Sequence, residues 1–405
     1  MKILVLTSTF SRWEGDTEPR FVNNLSRHLA QEHDVQVLAP HAPGARTTEV
    51  LEGIPVHRFR YAPEALQTLA YGGGILPNLR ERPLRFLLVP LFIAAQTLAI
   101  LRLARVHQFD VIHAHWIIPQ GFSAALARLL GLRVPVLLTS HGGDLFALKG
   151  RVLSALKRWI SGRCQGLSVV SSAMRQRAAD LELMALANIH NIPMGVDTAG
   201  EFQPPTEPTR REGILFVGRL VDKKGIEYLI EAMPGVLAEA SAAHLTIVGD
   251  GPLAAELAAR CRALGVEDAV TFTGAVANHD VPGYLQRAAV TVFPSIVTDS
   301  GDQEGTPVAI MEALACGCAA VVSDYPGARD IIVDGRTGLL VPQRSPEALA
   351  RALLRLYQDP ALCAALGAGG RKHVQAQYDW RVISDRFLDV FRDILEQRDN
   401  NGSTV

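Results

Sequence analysis

Short apolar runs alternate with helical patterns along nearly the whole chain. In the first half the runs fall at 2–6, 35–38, 56–59, 111–113, 136–139 and 167–170. In the second half they fall at 213–217, 245–248, 270–272, 290–293, 319–322 and 338–341. Strand, helix and strand in that order build a parallel sheet with crossover helices, so the expected class is α/β, doubly wound. At 405 residues the chain is too long for a single core. Three prolines in Glu201-Phe202-Gln203-Pro204-Pro205-Thr206-Glu207-Pro208 suit an extended linker. The expected parts are a domain at 1–197, a second at 198–378, a helix at 379–398 and a disordered polar tail at 399–405. In sheets of this kind ligands bind beyond the carboxyl ends of the strands. A cleft between two such ends is the expected site.

Charge and cysteine content narrow the function. A net charge of −1 argues against nucleic acid, which asks for a basic face. Cys164, Cys261, Cys316, Cys318 and Cys363 lack paired metal-ligand spacing and read as reduced, packed thiols of a cytosolic protein. No signal peptide is visible, and the first apolar run reads as a buried strand. The uncharged segment 86–101 is flanked by Arg80, Arg82 and Arg85 before and Arg102 and Arg105 after. It is short of the ~20 residues that span a bilayer, and Pro90 interrupts it. One reading is a buried helix of the first domain. The other is a surface-seeking helix with arginines at lipid headgroups, giving peripheral membrane contact through 80–105.

Chemistry concentrates after the strand runs. Glu304-Gly305-Thr306-Pro307-Val308-Ala309-Ile310-Met311-Glu312 places two carboxylates around a helix start. Thr306 reads as the N-cap and Pro307 as the first helical residue. The free amides near 307–309 would then form an anion site. Upstream, Gly218-Arg219-Leu220 and Lys223-Lys224-Gly225 place cations after another strand. The combination fits a sugar carrying a diphosphate. Arg219 and Lys224 would stabilise the phosphate charge that develops as the anomeric bond breaks. Glu304 would accept sugar hydroxyls and Glu312 those of a ribose. No Asp-x-Asp pair stands at a strand end, so no metal and no other cofactor is expected. Gly249-Asp250-Gly251-Pro252 reads as backbone access near the nucleoside, or as a plain turn, with Pro252 at the first helical position.

On the first domain, Ser140-His141-Gly142-Gly143-Asp144 follows a strand, and His141 could hydrogen-bond the sugar. His113 and His115 share one face of their strand and read as packing at its end. Trp116 could line an acceptor pocket. Gly15, in the loop 11–17, would let a ligand approach the backbone. Asp16, Trp116 and Asp144 are the candidates for the acceptor side.

This pattern resembles the retaining glycosyltransferases of family 4, with the two-domain GT-B fold. The residues that carry the resemblance are Glu304-x7-Glu312, Gly218-Arg219-x4-Lys224-Gly225, Ile247-Val248-Gly249-Asp250-Gly251-Pro252, His141-Gly142 and Met194-Gly195-Val196-Asp197. It implies that Arg219 and Lys224 hold the donor diphosphate, with Glu304 on the donor sugar and Glu312 on the ribose. It places the base near Thr273–Val276, His141 near the reacting sugar, and the amides around Gly305–Val308, a run that includes Thr306 and Pro307, on phosphate or sugar. The last helix would cross back onto the first domain. Two departures stand out. Many relatives have a double glycine where this chain has Glu14-Gly15-Asp16, which leaves Gly15 in that role. The exit motif Pro-Asn-Gly-Val-Asp is here Pro193-Met194-Gly195-Val196-Asp197, and its glycine remains as a hinge. The implied activity is metal-free hexosyl transfer with retention, from a UDP- or GDP-sugar to a sugar, polysaccharide or lipid-linked acceptor. The alternatives are a nucleotide-sugar 2-epimerase on the same fold, or a non-catalytic nucleotide-binding protein. The implied place is the cytoplasm or the inner face of the cell membrane.

Overall fold

A computed structural model of the chain describes residues 1–402 other than 17, 207–210, 300 and 306. The expected N-cap Thr306, part of the expected linker and the end of the expected tail therefore lie outside the described residues. The chain divides into two units, Met1–Pro193 with Ile383–Val405, and Met194–Val382.

The first unit is built on strands β1 (Lys2–Leu6), β2 (Asp34–Pro40), β3 (Thr48–Leu51), β4 (Ile54–Phe59), β5 (Val111–His115), β6 (Val136–Ser140), β7 (Gly166–Val169) and β8 (Ile189–Asn191). They lie in the order β3-β4-β2-β1-β5-β6-β7-β8. The central strands are unbroken apolar runs because helices cover both faces of a parallel sheet. Thus Ile3 faces Val35 on one side and Val111 on the other, and all three are buried. Chain order reverses between β1 and β5, which marks the switch point of this sheet. Strand β3 is antiparallel to β4 through a tight turn at Glu52 and Gly53, both at positive φ. It is a wet edge strand, and β8 is a short one, so neither carries the apolar pattern of a central strand.

The second unit uses β9 (Glu212–Val217), β10 (Leu245–Val248), β11 (Val270–Gly274), β12 (Ala288–Phe293), β13 (Ala319–Ser323) and β14 (Leu339–Val341), ordered β11-β10-β9-β12-β13-β14. Every pairing is parallel. Its core joins Phe216, Ile247 and Val292 of the sheet to Leu229 and Met233 of the helix Ile226–Glu239 and Leu353 of the helix Pro346–Gln358. Here the order reverses between β9 and β12.

The expected linker is instead packed. Phe202 is buried, and Gln286 donates to the Gln203 carbonyl at 3.0 Å. The exit motif is stitched to residues far along the chain: Val196 N–H donates to Tyr378 O at 2.8 Å, and Thr198 donates to the Asp379 carboxylate. That pairing draws Met194 to Asp197 into the second unit, which is why the division falls at Pro193 rather than at 197. Gly195 serves packing: a Cβ there would lie 2.4 Å from the Trp380 ring. The last helix, Trp380–Gly402, continues through 399–402, where a disordered tail was expected. Its Phe387 and Phe391 pack on His113 within the first unit, with ring centroids 4.9 and 5.5 Å away.

Candidate active site in the two units

In the second unit the loops after β9, β10, β11 and β12 all leave the carboxyl ends of adjacent strands. Two of them flank the switch point, and they carry the charged residues. Lys224 Nζ lies 3.2 Å from Glu304 Oε2, and Lys223 Nζ lies 3.8 Å from Glu304 Oε1 and 3.6 Å from Asp302. The turn Asp222–Lys224 ends on Gly225 at φ +60, where a Cβ would meet the Pro294 carbonyl at 2.2 Å. Ile296 N–H donates to Lys223 O at 2.9 Å, so backbone contacts hold the lysine turn against the segment leading to Glu304. Glu304 Oε1 is buried with no hydrogen bond among the described residues. The buried Tyr325 hydroxyl lies near Glu304 and Ser295. Gly327, two residues after Tyr325, packs under this loop: a Cβ there would meet Gly305 O at 2.9 Å. Arg219 is exposed and without an ion-pair partner among the described residues.

The helix after Glu304 is Val308–Ala315, and Pro307 occupies its N-cap without a side-chain hydrogen bond. The expected start one residue earlier is thereby corrected: Pro307 carries ψ 85°, outside the helical region. Its carbonyl accepts from Ile310 N–H at 3.0 Å. Glu312 lies within that helix, partly buried. Burial pushes its carboxyl up to about 7, aided by Glu201 and opposed by Lys224.

The glycine turn after β10 is a backbone joint. A Cβ at Gly249 would lie 2.0 Å from Gly218 O, and one at Gly251 would lie 2.3 Å from Leu220 O. Leu220 N–H donates to Asp250 O at 3.0 Å, and Gly249 N–H to Gly274 O at 3.0 Å. These glycines therefore let the loops carrying Arg219 and Thr273 press together. Pro252 precedes the helix Ala254–Leu264 by two residues instead of opening it. Thr273 donates its hydroxyl to Gly274 O at 2.9 Å, and Val276 is partly buried in the same loop.

In the first unit His141 heads an aromatic cluster. It stacks on His115 with centroids 5.2 Å apart, and the rings of Phe21 and Trp116 lie 4.8 and 4.9 Å away. His115 Nδ1 and His141 Nε2 are 2.9 Å apart. His113 Nε2 and Thr139 Oγ1 are 2.7 Å apart. Burial holds all three imidazoles well below the usual histidine range, so they are neutral near pH 7. Trp116 sits at φ +73, a conformation that a bulky residue seldom adopts. Gly15 is exposed at φ +78 with open space around it.

Two acceptor candidates turn inward. Asp144 is buried, accepting from Ile117 N–H and from the Ser140 hydroxyl, each at 2.6 Å, with Lys157 nearby. The Asp16 side chain is 2% exposed and holds Arg12 by two guanidinium contacts at 2.7 and 2.9 Å. Both carboxylates hold loops in place, Asp16 with a donor of its own loop and Asp144 by tying its loop to the segment after β5 through Ile117, because a buried charge must be paired with donors. Tyr325 joins the candidate site residues without having been marked in the sequence and carries no local signal. Lys223 stood beside Lys224 in the same cationic motif, and Phe21 opens the helix after the aromatic and charged loop 11–17, which suits acceptor recognition. Among the described residues no group of three or more His, Cys, Asp or Glu side chains is placed to hold a metal ion.

Comparison with known proteins follows this geometry. Residues 19–199 match the family model described as Glycosyltransferase Family 4, and residues 197–373 match that of Glycosyl transferases group 1. The GDP-mannose-dependent alpha-(1-6)-phosphatidylinositol monomannoside mannosyltransferase of Mycobacterium tuberculosis is 31% identical over 302 residues, 72% of this chain and 78% of that one. The glycogen synthase of the same organism is 27% identical over 399 residues, 92% of this chain and 90% of that one. Among solved structures, sucrose-phosphate synthase from Thermosynechococcus elongatus has a TM-score of 0.76 at 23% identity, covering 98% of this chain and 100% of that one. Anabaena HepE in complex with UDP has a TM-score of 0.72 at 19% identity, covering 97% and 100%. These likenesses give the fold as GT-B, with two Rossmann-like domains. With such a relative above 30% identity across most of both chains, this chain belongs to glycosyltransferase family 4.

Proposed function

We propose that this glycosyltransferase moves a hexosyl group from a UDP- or GDP-sugar to an acceptor hydroxyl with retention of configuration and without a divalent metal. The setting we assign is glycolipid or cell-surface polysaccharide synthesis. The observation that carries the reading is Glu304, held by Lys224 beside the switch point of the second sheet while its other oxygen, 3.8 Å from Lys223 Nζ, accepts no hydrogen bond among the described residues. A buried carboxylate oxygen without a donor is costly unless a ligand supplies one. Sugar hydroxyls are such donors.

In this reading Arg219 and Lys224 grip the diphosphate, and Lys223 adds a third positive charge. Glu312 accepts the ribose hydroxyls, with the base near Thr273 and Val276. The bond from the anomeric carbon to the phosphate oxygen breaks, and its electron pair leaves with the nucleoside diphosphate. The acceptor oxygen bonds to the anomeric carbon on the same face, and its proton passes to the departing phosphate oxygen. The lysines and Arg219 stabilise that charge without waiting for solvent to reorganise. We assign His141 to a hydrogen bond with the transferred sugar. The mycobacterial relative is named for GDP-mannose and a phosphatidylinositol mannoside, and HepE was solved with UDP. Both bases and lipid-linked acceptors therefore head the search.

The test is a panel of UDP- and GDP-sugars, measured for binding and slow hydrolysis with and without chelator. Turnover of one donor that survives chelator supports the reading. The anomeric coupling constant of the transferred sugar then reports retention. A donor isomerised at carbon 2 without acceptor would instead establish the epimerase. Absence of binding to any nucleotide sugar would end the assignment.

A further inference from the structure

The loop between β1 and the helix Phe21–Leu29 holds a tryptophan in the open. Of the four tryptophans in the chain Trp13 alone is exposed, at 42%. An apolar ring left in water is costly, and here the loop is braced so that the ring stays there. Asp16 N–H donates to Trp13 O at 3.3 Å, closing a tight turn. The Asp16 carboxylate accepts the Arg12 backbone N–H at 2.7 Å besides its two guanidinium bonds. Arg58, whose side chain is wholly buried, reaches across from β4. It donates to Ser11 O at 2.6 Å, to the Tyr71 hydroxyl at 3.2 Å and to Glu49 at 3.1 Å. Glu18 accepts from Gly72 N–H at 2.8 Å. The Arg12 guanidinium lies 4.5 Å from the centre of the Trp13 ring and 5.5 Å from that of Tyr71. A cation so placed holds the indole from one side. The rest of the ring faces water, and nothing stands within 4 Å of where a side chain would go at Gly15.

Position and charge decide what the ring receives. β1 and β5 flank the switch point of the first sheet, and Trp13 follows the carboxyl end of β1 as Trp116 follows that of β5. Ligands of such sheets bind outside those ends. Phe21, where the helix after this loop begins, packs on Trp116 and His141 with centroids 6.0 and 4.8 Å away. The cations of the loop and of its brace are already committed: Arg12 to Asp16, Arg20 to Glu52 and Arg58 to Glu49. Glu14, next to Trp13, is exposed and has no ion-pair partner among the described residues. The surface beside the ring therefore repels phosphate and offers a carboxylate to hydroxyl groups. An aromatic face carries negative charge density at its centre. With a hydroxyl acceptor at its rim it fits a pyranose, whose C–H face lies on the indole while its hydroxyls turn to the carboxylate.

We propose that Trp13 and Glu14 form a stacking site for a neutral sugar ring of the acceptor. The proposal deepens the transferase reading, on which it rests for calling that ring the acceptor's. It selects a neutral saccharide over an anionic headgroup as what this loop holds.

The full chain is labelled with 5-fluorotryptophan, and the fluorine resonance of Trp13 is identified by its loss in Trp13→Phe. It is titrated without donor against methyl and octyl glycosides of mannose, glucose and galactose, against α-linked disaccharides of these sugars, and against myo-inositol 1-phosphate. The expected result is a saturable shift of the Trp13 resonance with at least one neutral glycoside, alike for its methyl and octyl forms. Glu14→Ala should weaken that binding about fivefold, the equivalent of one lost hydrogen bond. In transfer assays Trp13→Ala should raise the acceptor KM about tenfold with little change in kcat, and Trp13→Phe should keep most of the affinity. The circular dichroism spectrum should not change, because the ring is exposed. A Trp13 resonance that no neutral glycoside moves overturns the proposal. So does one moved by octyl forms alone, which is contact with an alkyl chain, or one moved more strongly by inositol phosphate. Nucleotide sugars that bind while Trp13 stays silent remove this site and leave the donor reading intact. A responding Trp13 in a chain that binds no nucleotide sugar keeps the sugar site and ends the donor reading instead.

Discussion

His115 Nδ1 and His141 Nε2 lie 2.9 Å apart, and His115 Nε2 is buried without a partner among the described residues. The two facts together select a tautomer. Buried N–H groups without acceptors are rarer than underused acceptors. The proton of His115 therefore sits on Nδ1 and is donated to His141 Nε2. His141 must then carry its own proton on Nδ1. The strand β5 residue so decides which hydrogen-bonding group His141 can offer a substrate.

His115→Asn keeps an amide donor near the Nδ1 position, whereas His115→Phe keeps the ring packing and removes the donor. The Phe variant should turn over about tenfold more slowly, the equivalent of one lost hydrogen bond. The Asn variant should keep most of the activity. Nitrogen chemical shifts of His141 report the tautomer directly. Equal turnover in the two variants would mean that His115 contributes packing alone.

Arg219 and Lys224 differ in what they do before donor arrives. Lys224 already pairs with Glu304 at 3.2 Å, while Arg219 has no ion-pair partner among the described residues. Arg219→Ala should weaken donor binding and lower turnover together. Glu304→Gln should act mainly on turnover, by about 10²–10³ if its contact strengthens in the transition state. In a double-mutant cycle Lys224→Ala and Glu304→Gln should be strongly non-additive. Additive losses would mean that the pair does not act as a unit.

The central strands of both sheets were legible in sequence, though not their order in space, because parallel strands buried on two faces leave unbroken apolar runs, as in Ile3-Leu4-Val5-Leu6. Strands β3 and β8 were not, since an edge strand lacks that pattern. The charged loops were legible from Glu304, Glu312 and the lysine turn taken together, since each alone is an ordinary surface feature and only their combination is specific. The acceptor side was not. Asp16 and Asp144 resemble exposed ligands in sequence, and only the structure shows protein donors occupying them, from Arg12 for the first and from Ser140 and Ile117 for the second. Tyr325 reaches the site by tertiary placement, which leaves no local mark. Gly195 was read as a hinge, but packing against Trp380 is what excludes a side chain there.

Gly195→Ala tests that packing. The added methyl would fall 2.4 Å from the Trp380 ring, so the ring or the backbone must move. Overpacking of this kind destabilises by about 1–3 kcal/mol. Urea unfolding should show the loss, and Trp380→Leu in the same background should recover part of it. A hinge that needs only freedom of φ and ψ would show no such rescue.

Glu312 links donor binding to pH. Its folded pKa is raised to about 7 from the ordinary 4.5, mainly by burial. A raised carboxyl binds more protons folded than unfolded across that interval. Its contribution to stability is therefore full below about pH 4.5 and is lost as pH rises to about 7. Allowing for its partial exposure, the loss is about 1–2 kcal/mol. Glu312→Gln should raise stability by that amount at pH 8 and change little at pH 4, measured by urea unfolding at both. Donor affinity should move the other way. In the proposed reading the ionised carboxylate accepts both ribose hydroxyls, so wild-type binding should tighten as pH rises through 7, and the Gln variant should bind more weakly without that dependence. Equal donor affinity in wild type and variant at pH 8 would remove Glu312 from the ribose.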